Sequence, residues 1–208
     1  YLDRQVGRLL DFLESRGALD DTLVVLVADH GESLGEHGIV FRHVGLHDTT
    51  THVPMMIRWP GPGKKGRRIE GLVQTIDLFP TILGAVGLPV PQQDGEDLRK
   101  LTGDGRKGRR AVFAEHAAKL GLMARTREHK YILSQGNPQF FPDGPSLYDV
   151  NADPGETRNL AGQNLAAERQ MADLLFRWLA DRRHHTETTP KDLSPEEIER
   201  LRALGYIR

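Results

Sequence analysis

Thr22-Leu-Val-Val-Leu-Val-Ala28, running straight into Asp29-His30-Gly31-Glu32, decides how this chain is read. The run is apolar and β-branched without alternation, the pattern of a strand covered on both faces, as in the central strands of a parallel sheet. Upstream, Leu2, Val6, Leu9, Leu10 and Leu13 recur at helical spacing, and Gly17 supplies a left-handed helix end. Downstream, a polar, glycine-rich stretch runs to about Asp48. Val53–Trp59 then reads as a second strand closed by Pro60-Gly-Pro-Gly63, and Leu72-Val73 as a short one. Asp77 is placed to cap a helix through Leu78, Ile82, Leu83 and Val86 that stops at Gly87 and Pro89. Helix, strand, loop, strand, helix is the rhythm of an open α/β sheet, whose ligands sit at the carboxyl ends of strands. Asp29 stands at that end of the best strand.

Beyond a Pro-, Gly- and Asp-rich connection over 88–108, with one weak helical turn, the texture changes. Arg110–Glu115, Leu122–Thr126, Lys130–Ser134 and Ser146–Asp149 are short half-polar segments separated by turns, which predicts a small antiparallel sheet. A helix over Asn164–His184, with Met171, Leu174, Leu175, Trp178 and Leu179 on one face, is expected to cover it. A last helix begins at Ser194-Pro195 with Glu197 at its third position, Leu193 and Ile198 forming a staple, and ends at Gly205. The fold class is therefore α/β: a partial open α/β/α sandwich over 1–105, then a small α+β subdomain over 106–208.

Composition narrows the function classes. A net charge of −1 gives no reason to expect nucleic acid as a partner. The basic clusters 64–68 and 106–110 lie among glycines and read as solvated loops. No apolar run approaches the ~20 residues that span a bilayer. The absence of cysteine excludes disulfides and thiol catalysis and assigns no compartment, so localisation stays open. The first helix begins without a capping residue, which leads to the expectation that the chain continues upstream.

The chemistry concentrates after Ala28. An adjacent carboxylate and imidazole, Asp29 and His30, can reach one ion where a chain leaves a strand, and Gly31 permits a tight turn beside it. The same pattern also suits a glycine-rich loop whose Asp caps a helix. His30, His37, His43, His47 and His52 follow within a short window, with Arg42 beside one of them. Such a set supplies donors and a proton source for an anionic, oxygen-rich substrate, or else a run of surface histidines.

Five stretches, in order, carry a resemblance to the sulfatase family of the alkaline phosphatase superfamily. Leu10–Gly17 and Thr22–Gly38 resemble its helix, strand and metal-binding "SDHGE.LGEHG" passage, with Ala28 for the usual serine. His52-Val-Pro-Met-Met-Ile-Arg-Trp-Pro-Gly61 resembles "RVPLIIRWPG", and Val73–Leu83 resembles "V...DLFPTIL". Leu147-Tyr-Asp-Val-Asn-Ala-Asp-Pro-Gly-Glu156 with Asn159-Leu160 is similar to "LYDL..DP.E..NL", and Leu193–Tyr206 to the tail "LSPEELERLRALGY".

The resemblance implies hydrolysis of sulfate esters by a hydrated formylglycine, made from Cys or Ser in a C/S-x-P-x-R motif, around a divalent ion that is usually calcium. It makes Asp29 and His30 two of the metal ligands. An imidazole where many members have asparagine also admits manganese or zinc. A basic residue that holds sulfate or protonates the leaving oxygen falls on Arg42 or on His43, depending on register. His43 is the better proton donor, because arginine keeps its proton; Arg42 then binds the anion. No C/S-x-P-x-R occurs in these 208 residues. The expectation is thus the C-terminal part of an enzyme, inactive alone, whose other half is the missing N-terminal portion of the same protein. Its substrate would be a small sulfate ester or a sulfated glycan, and exposed strand edges would favour a homo-oligomer. Two alternatives stand beside this: a phosphodiesterase or phosphonate monoester hydrolase on the same scaffold, and a non-catalytic binding module.

Overall fold

The structure, a computed structural model, describes residues 1–61, 66–102, 108–116, 121–134 and 144–183, together with 194, 196 and 199. Two compact units divide the chain, Tyr1–Leu175 and Phe176–Arg208.

Helix α1 spans Leu2–Ser15 and stops where Gly17 takes φ 65, as its glycine predicts. Strand β1 (Val24–Val27) follows, then a short hairpin of β2 (Ser33–Leu34) and β3 (Val40–Arg42), a single helical turn α2 (Asp48–Thr51), and β4 (Met55–Arg58). The apolar run at 22–28 is a strand, but its neighbour among the described residues is β4, paired antiparallel from Val24↔Arg58 to Val27↔Met55. Its residues are half-buried rather than enclosed, and Val27 is exposed. An unbroken apolar run signals burial potential and carries no information on strand direction, which is why the parallel, doubly covered expectation differs from the pairing described.

Helix α3 spans Leu78–Ala85 and ends at Gly87, φ 73. Asp77 precedes it as expected, yet its side chain serves the other direction. It is fully buried and accepts from the Gln74 amide at 2.9 Å and the Glu96 amide at 2.8 Å. Arg109 clasps the same carboxylate through Nε at 3.2 Å and through Nη2, and reaches Glu96 through Nη1 at 2.9 Å. This corrects the reading of 106–110 as a solvated loop at Arg109; residues 106 and 107 lie outside the described residues. Arg109 is a largely buried counter-ion that ties the segment before β5 to the turn before α3, because a buried carboxylate needs a matched donor fork. Leu72 forms only an isolated bridge with Gly108 and Arg109, and α4 (Leu98–Thr102) is the weak helical turn of the connection.

Strands β5 (Val112–Glu115), β6 (Gly121–Arg125), β7 (His129–Ser134) and β8 (Gly144–Asp149) form the antiparallel sheet in that order, an up-and-down meander. Leu46, Met123, Ile132 and Tyr148 make a buried cluster against which Ala114 packs. Burying each large side chain is worth roughly 1.5–3 kcal/mol. Leu46 lies in the histidine-rich loop, so this core anchors the loop from behind. Helix α5 spans Leu165–Arg183, across the division between the units; Ala167, Met171 and Leu175 are buried at four-residue spacing. The final helix expected from Ser194 falls mostly outside the described residues, of which Glu196 and Glu199 are helical.

Candidate active site

The site is built on the chain that leaves β1. Gly31 donates to the Thr50 carbonyl at 2.9 Å, and a Cβ at this position would stand 2.1 Å from the Thr49 carbonyl oxygen. Only glycine permits that approach. The fully buried Ser33 then meets the Thr49 hydroxyl at 2.9 Å, so residues 29–33 are pinned to the start of α2. Ser33 pairs with Arg42 across the β2–β3 hairpin, with a bulge before Leu34↔Val40. His37 (φ 56) and Phe41 (φ 48) adopt left-handed backbone angles, which are unusual for side chains of their size. Such kinks re-aim the residues that follow them.

Three of the four residues singled out from the sequence come together here. Asp29 Oδ1 accepts the His30 amide at 3.0 Å, and Asp29 Oδ2 lies 3.8 Å from His30 Nε2. The rings of His30 and His43 stack with centroids 4.1 Å apart and planes 24° apart. His30 Nδ1 lies 2.9 Å from the Gly31 carbonyl, which can only accept. Nδ1 is therefore the donor in that contact, and Nε2 is the ring atom beside the Asp29 carboxylate. Arg42 lies in β3, exposed, immediately before His43.

Glu32 joins this group and had not been picked out from the sequence. Its Oε2 lies 3.3 Å from His43 Nδ1, and the ligand atoms of His30, Glu32 and His43 fall within 4.8 Å of one another. Its signal was present in the Asp-His-Gly-Glu string, but its meaning depends on a hairpin register that three- and two-residue strands do not announce.

The other histidines separate. His37 stacks on His47 at 3.6 Å, planes 10° apart, and His47 Nε2 meets the Tyr148 hydroxyl at 3.3 Å. Burial pushes His47 down to about 3, with His37 and Lys130 adding to the effect. Burial also lowers His37 from its ordinary value. His52 lies 3.8 Å from Asp48 Oδ2. His37 and His47 belong to the scaffold beneath the site, whereas His52 is exposed.

That scaffold holds a buried charge network. Lys130 on β7 has no exposed surface, and its ammonium reaches Asp48 Oδ1 at 2.8 Å, Glu156 Oε1 at 2.9 Å and Thr51 Oγ1 at 3.2 Å. Asp48 and Thr51 accept hydrogen bonds from it, while Glu156 Oε1 pairs with it by charge. Glu156, itself at φ 53, also accepts the Asp48 amide at 2.7 Å. Burial alone would raise the Asp48 carboxyl, but the charges of Lys130 and Arg125 outweigh it and hold Asp48 below the usual carboxylate range. The turn after β8 is thereby bonded to the loop that carries His43 and His47.

A loop that gathers a carboxylate, two stacked imidazoles and a second carboxylate past the end of a strand in an α/β scaffold is equipped to hold a cation and to handle protons. The sulfatase family model matches residues 1–88. N-acetylglucosamine-6-O-sulfatase of Bacteroides thetaiotaomicron is 31% identical, the alignment covering 100% of this chain and 37% of that protein. Choline-sulfatase of Rhizobium meliloti is 33% identical over 77% of this chain and 31% of its own length. The fold superposes with TM-score 0.76 and 28% identity on a protein solved in complex with its substrate D-glucosamine-2-N,6-O-disulfate, covering 91% of this chain and 40% of that one. A phosphonate monoester hydrolase from Silicibacter pomeroyi gives TM-score 0.69 and 27% identity over 94% of this chain and 42% of its own. The chain belongs to the sulfatase family of the alkaline phosphatase superfamily. It spans about a third of the length of the curated relatives it matches.

Proposed function

We propose that this chain carries the metal-binding and proton-donating part of the active site of a metal-dependent sulfatase. Its substrate is a sulfate ester, either of a sugar within a sulfated glycan or of a small alcohol, and a formylglycine outside these 208 residues is the nucleophile. The observation that carries the reading is the convergence of Asp29, His30 and His43 just past β1.

Asp29 and His30 would hold the divalent ion. The donor set fits: the His30 Nδ1 proton is engaged by the Gly31 carbonyl, an arrangement that orients metal-bound histidines, and leaves Nε2 beside the Asp29 carboxylate. When bound, the ion neutralises sulfate oxygens and orients the nucleophile. Calcium is the family's usual ion and takes six to eight oxygens, so further ligands must come from elsewhere; the imidazole also suits manganese or zinc. Cleavage of the S–O bond leaves an alkoxide, which takes a proton from His43 Nε2, while Arg42 binds the sulfate. General acids of this kind contribute ~10²–10⁴-fold.

In the protein complete with its nucleophile, His43→Ala should lower turnover of an alkyl sulfate by that order and spare nitrophenyl sulfate, whose leaving group needs little help. Asp29→Ala should lower both. Equal losses on both substrates for His43→Ala would reassign the donor. A second reading, hydrolysis of phosphonate or phosphate esters, draws on the likeness to the Silicibacter pomeroyi enzyme. A rate on phenyl phosphonate exceeding that on the matching sulfate would favour it.

A further inference from the structure

The geometry points to Glu32 as a positioning residue that selects the tautomer of His43, an inference that rests on His43 being the proton donor of the proposed function. The hairpin pairs Ser33 with Arg42, which sets Glu32 and His43 opposite one another at the mouth of the ladder. Ser33 is clamped by Thr49 and Gly31 by Thr50, so the backbone of Glu32 is fixed on both sides. A carboxylate only accepts, so the 3.3 Å contact to Oε2 requires the proton on His43 Nδ1. The opposite face of the ring is closed by the His30 stack at 4.1 Å. With one edge bonded and one face covered, Nε2 is the ring atom left to meet a substrate.

This matters for proton donation. An imidazolium that gives its Nε2 proton to a leaving alkoxide yields an alcohol and a neutral ring bearing its remaining proton on Nδ1. Glu32 holds that product tautomer, so the ring does not have to reorient, and Nε2 recovers its proton from solvent. Free imidazole side chains favour the other neutral tautomer; without Glu32 no acceptor would hold the Nδ1 edge, and the ring would be free to turn Nε2 away from the leaving oxygen. The logic is that of a carboxylate behind a catalytic histidine, here reached through a hairpin register.

The test has two arms. In metal-free 208-residue protein with chelator present, long-range proton–nitrogen NMR reads the His43 tautomer directly, His43→Ala supplying the assignment. Wild type and Glu32→Gln should show Nδ1–H, because a glutamine carbonyl accepts the same bond; Glu32→Ala should revert to Nε2–H. Amide dispersion verifies that each variant folds. Nε2–H in wild type, or no change in Glu32→Ala, overturns the proposal. In the complete enzyme, Glu32→Ala should lower kcat on an alkyl sulfate roughly tenfold or more with KM little changed. Nitrophenyl sulfate should be nearly unaffected, and Glu32→Gln should recover most of the loss. Equal loss on both substrates would make Glu32 part of the metal or structural support and sink the idea. If the tautomer result holds but His43→Ala does not discriminate between substrates, the donor assignment fails and the placement of the ring by Glu32 survives.

Discussion

Lowering the pH should destabilise this protein through His47 well before its carboxylates begin to protonate. His47 is buried against Tyr148 and stacked on His37, and Lys130 lies close enough to repel a further positive charge. In the folded state it therefore stays neutral down to about 3, against an ordinary value of 6.5. Unfolded, it takes up a proton as soon as the pH drops below that ordinary value. The unfolded state then binds more protons, so stability is intact above 6.5 and falls with pH until about 3. The slope is about 1.4 kcal/mol per pH unit, and the whole window amounts to roughly 4–5 kcal/mol, a large part of a typical ~5–15 kcal/mol. The measurement is urea unfolding between pH 7 and 5, followed by circular dichroism, for wild type and His47→Phe. That range lies above the acid region in which Asp48, held low by Lys130, would contribute. Phenylalanine keeps the stack on His37 and cannot titrate. At pH 7 the variant should be within about 1–2 kcal/mol of wild type, having lost the Tyr148 contact. By pH 5 the difference should have moved in its favour by roughly 2 kcal/mol. His37, also lowered by burial, remains in both proteins and leaves a shared residual slope. Parallel profiles for the two proteins, or an NMR titration of His47 at its ordinary value, would refute the argument.

Lys130→Met should cost about 3–5 kcal/mol, because it leaves the Asp48 and Glu156 carboxylates buried without their counter-ion; chemical denaturation measures this, and a Lys130→Met/Glu156→Gln pair should recover part of it. Gly31→Ala should displace the Thr49–Thr50 backbone, and so separate the rings of His30 and His43. Loss of the ring-current shifts of those two histidines would report it, and an unchanged spectrum would show that the loop accommodates a methyl group.

The sequence was most legible where local chemistry alone decides structure. Gly17 and Gly87 ended their helices because left-handed backbone is cheap only for glycine, and all four strands of the antiparallel sheet fell within two residues of expectation at each end, bounded by turns. What escaped was every feature made by residues distant in the chain. Asp77 looked like an ordinary helix cap, yet its carboxylate belongs to Arg109, 32 residues on. Lys130 opened one of the short half-polar segments with nothing to mark it, yet it is buried against Asp48, 82 residues back. No local pattern encodes such pairs, since a buried ion is tolerated only by the partner that the fold brings to it. The same distinction separates the histidines. Composition grouped five of them, whereas packing divides them into a pair with Glu32 at the surface, a pair with Tyr148 underneath, and His52 exposed beside Asp48. The two pairs lie on one loop and face opposite demands. His47 must remain uncharged to stay buried, while His43 must be able to carry a proton to act as proposed. Burial keeps the hidden ring neutral, with His37 and Lys130 adding to the effect, while the exposed ring lies a few residues away beside the Glu32 carboxylate.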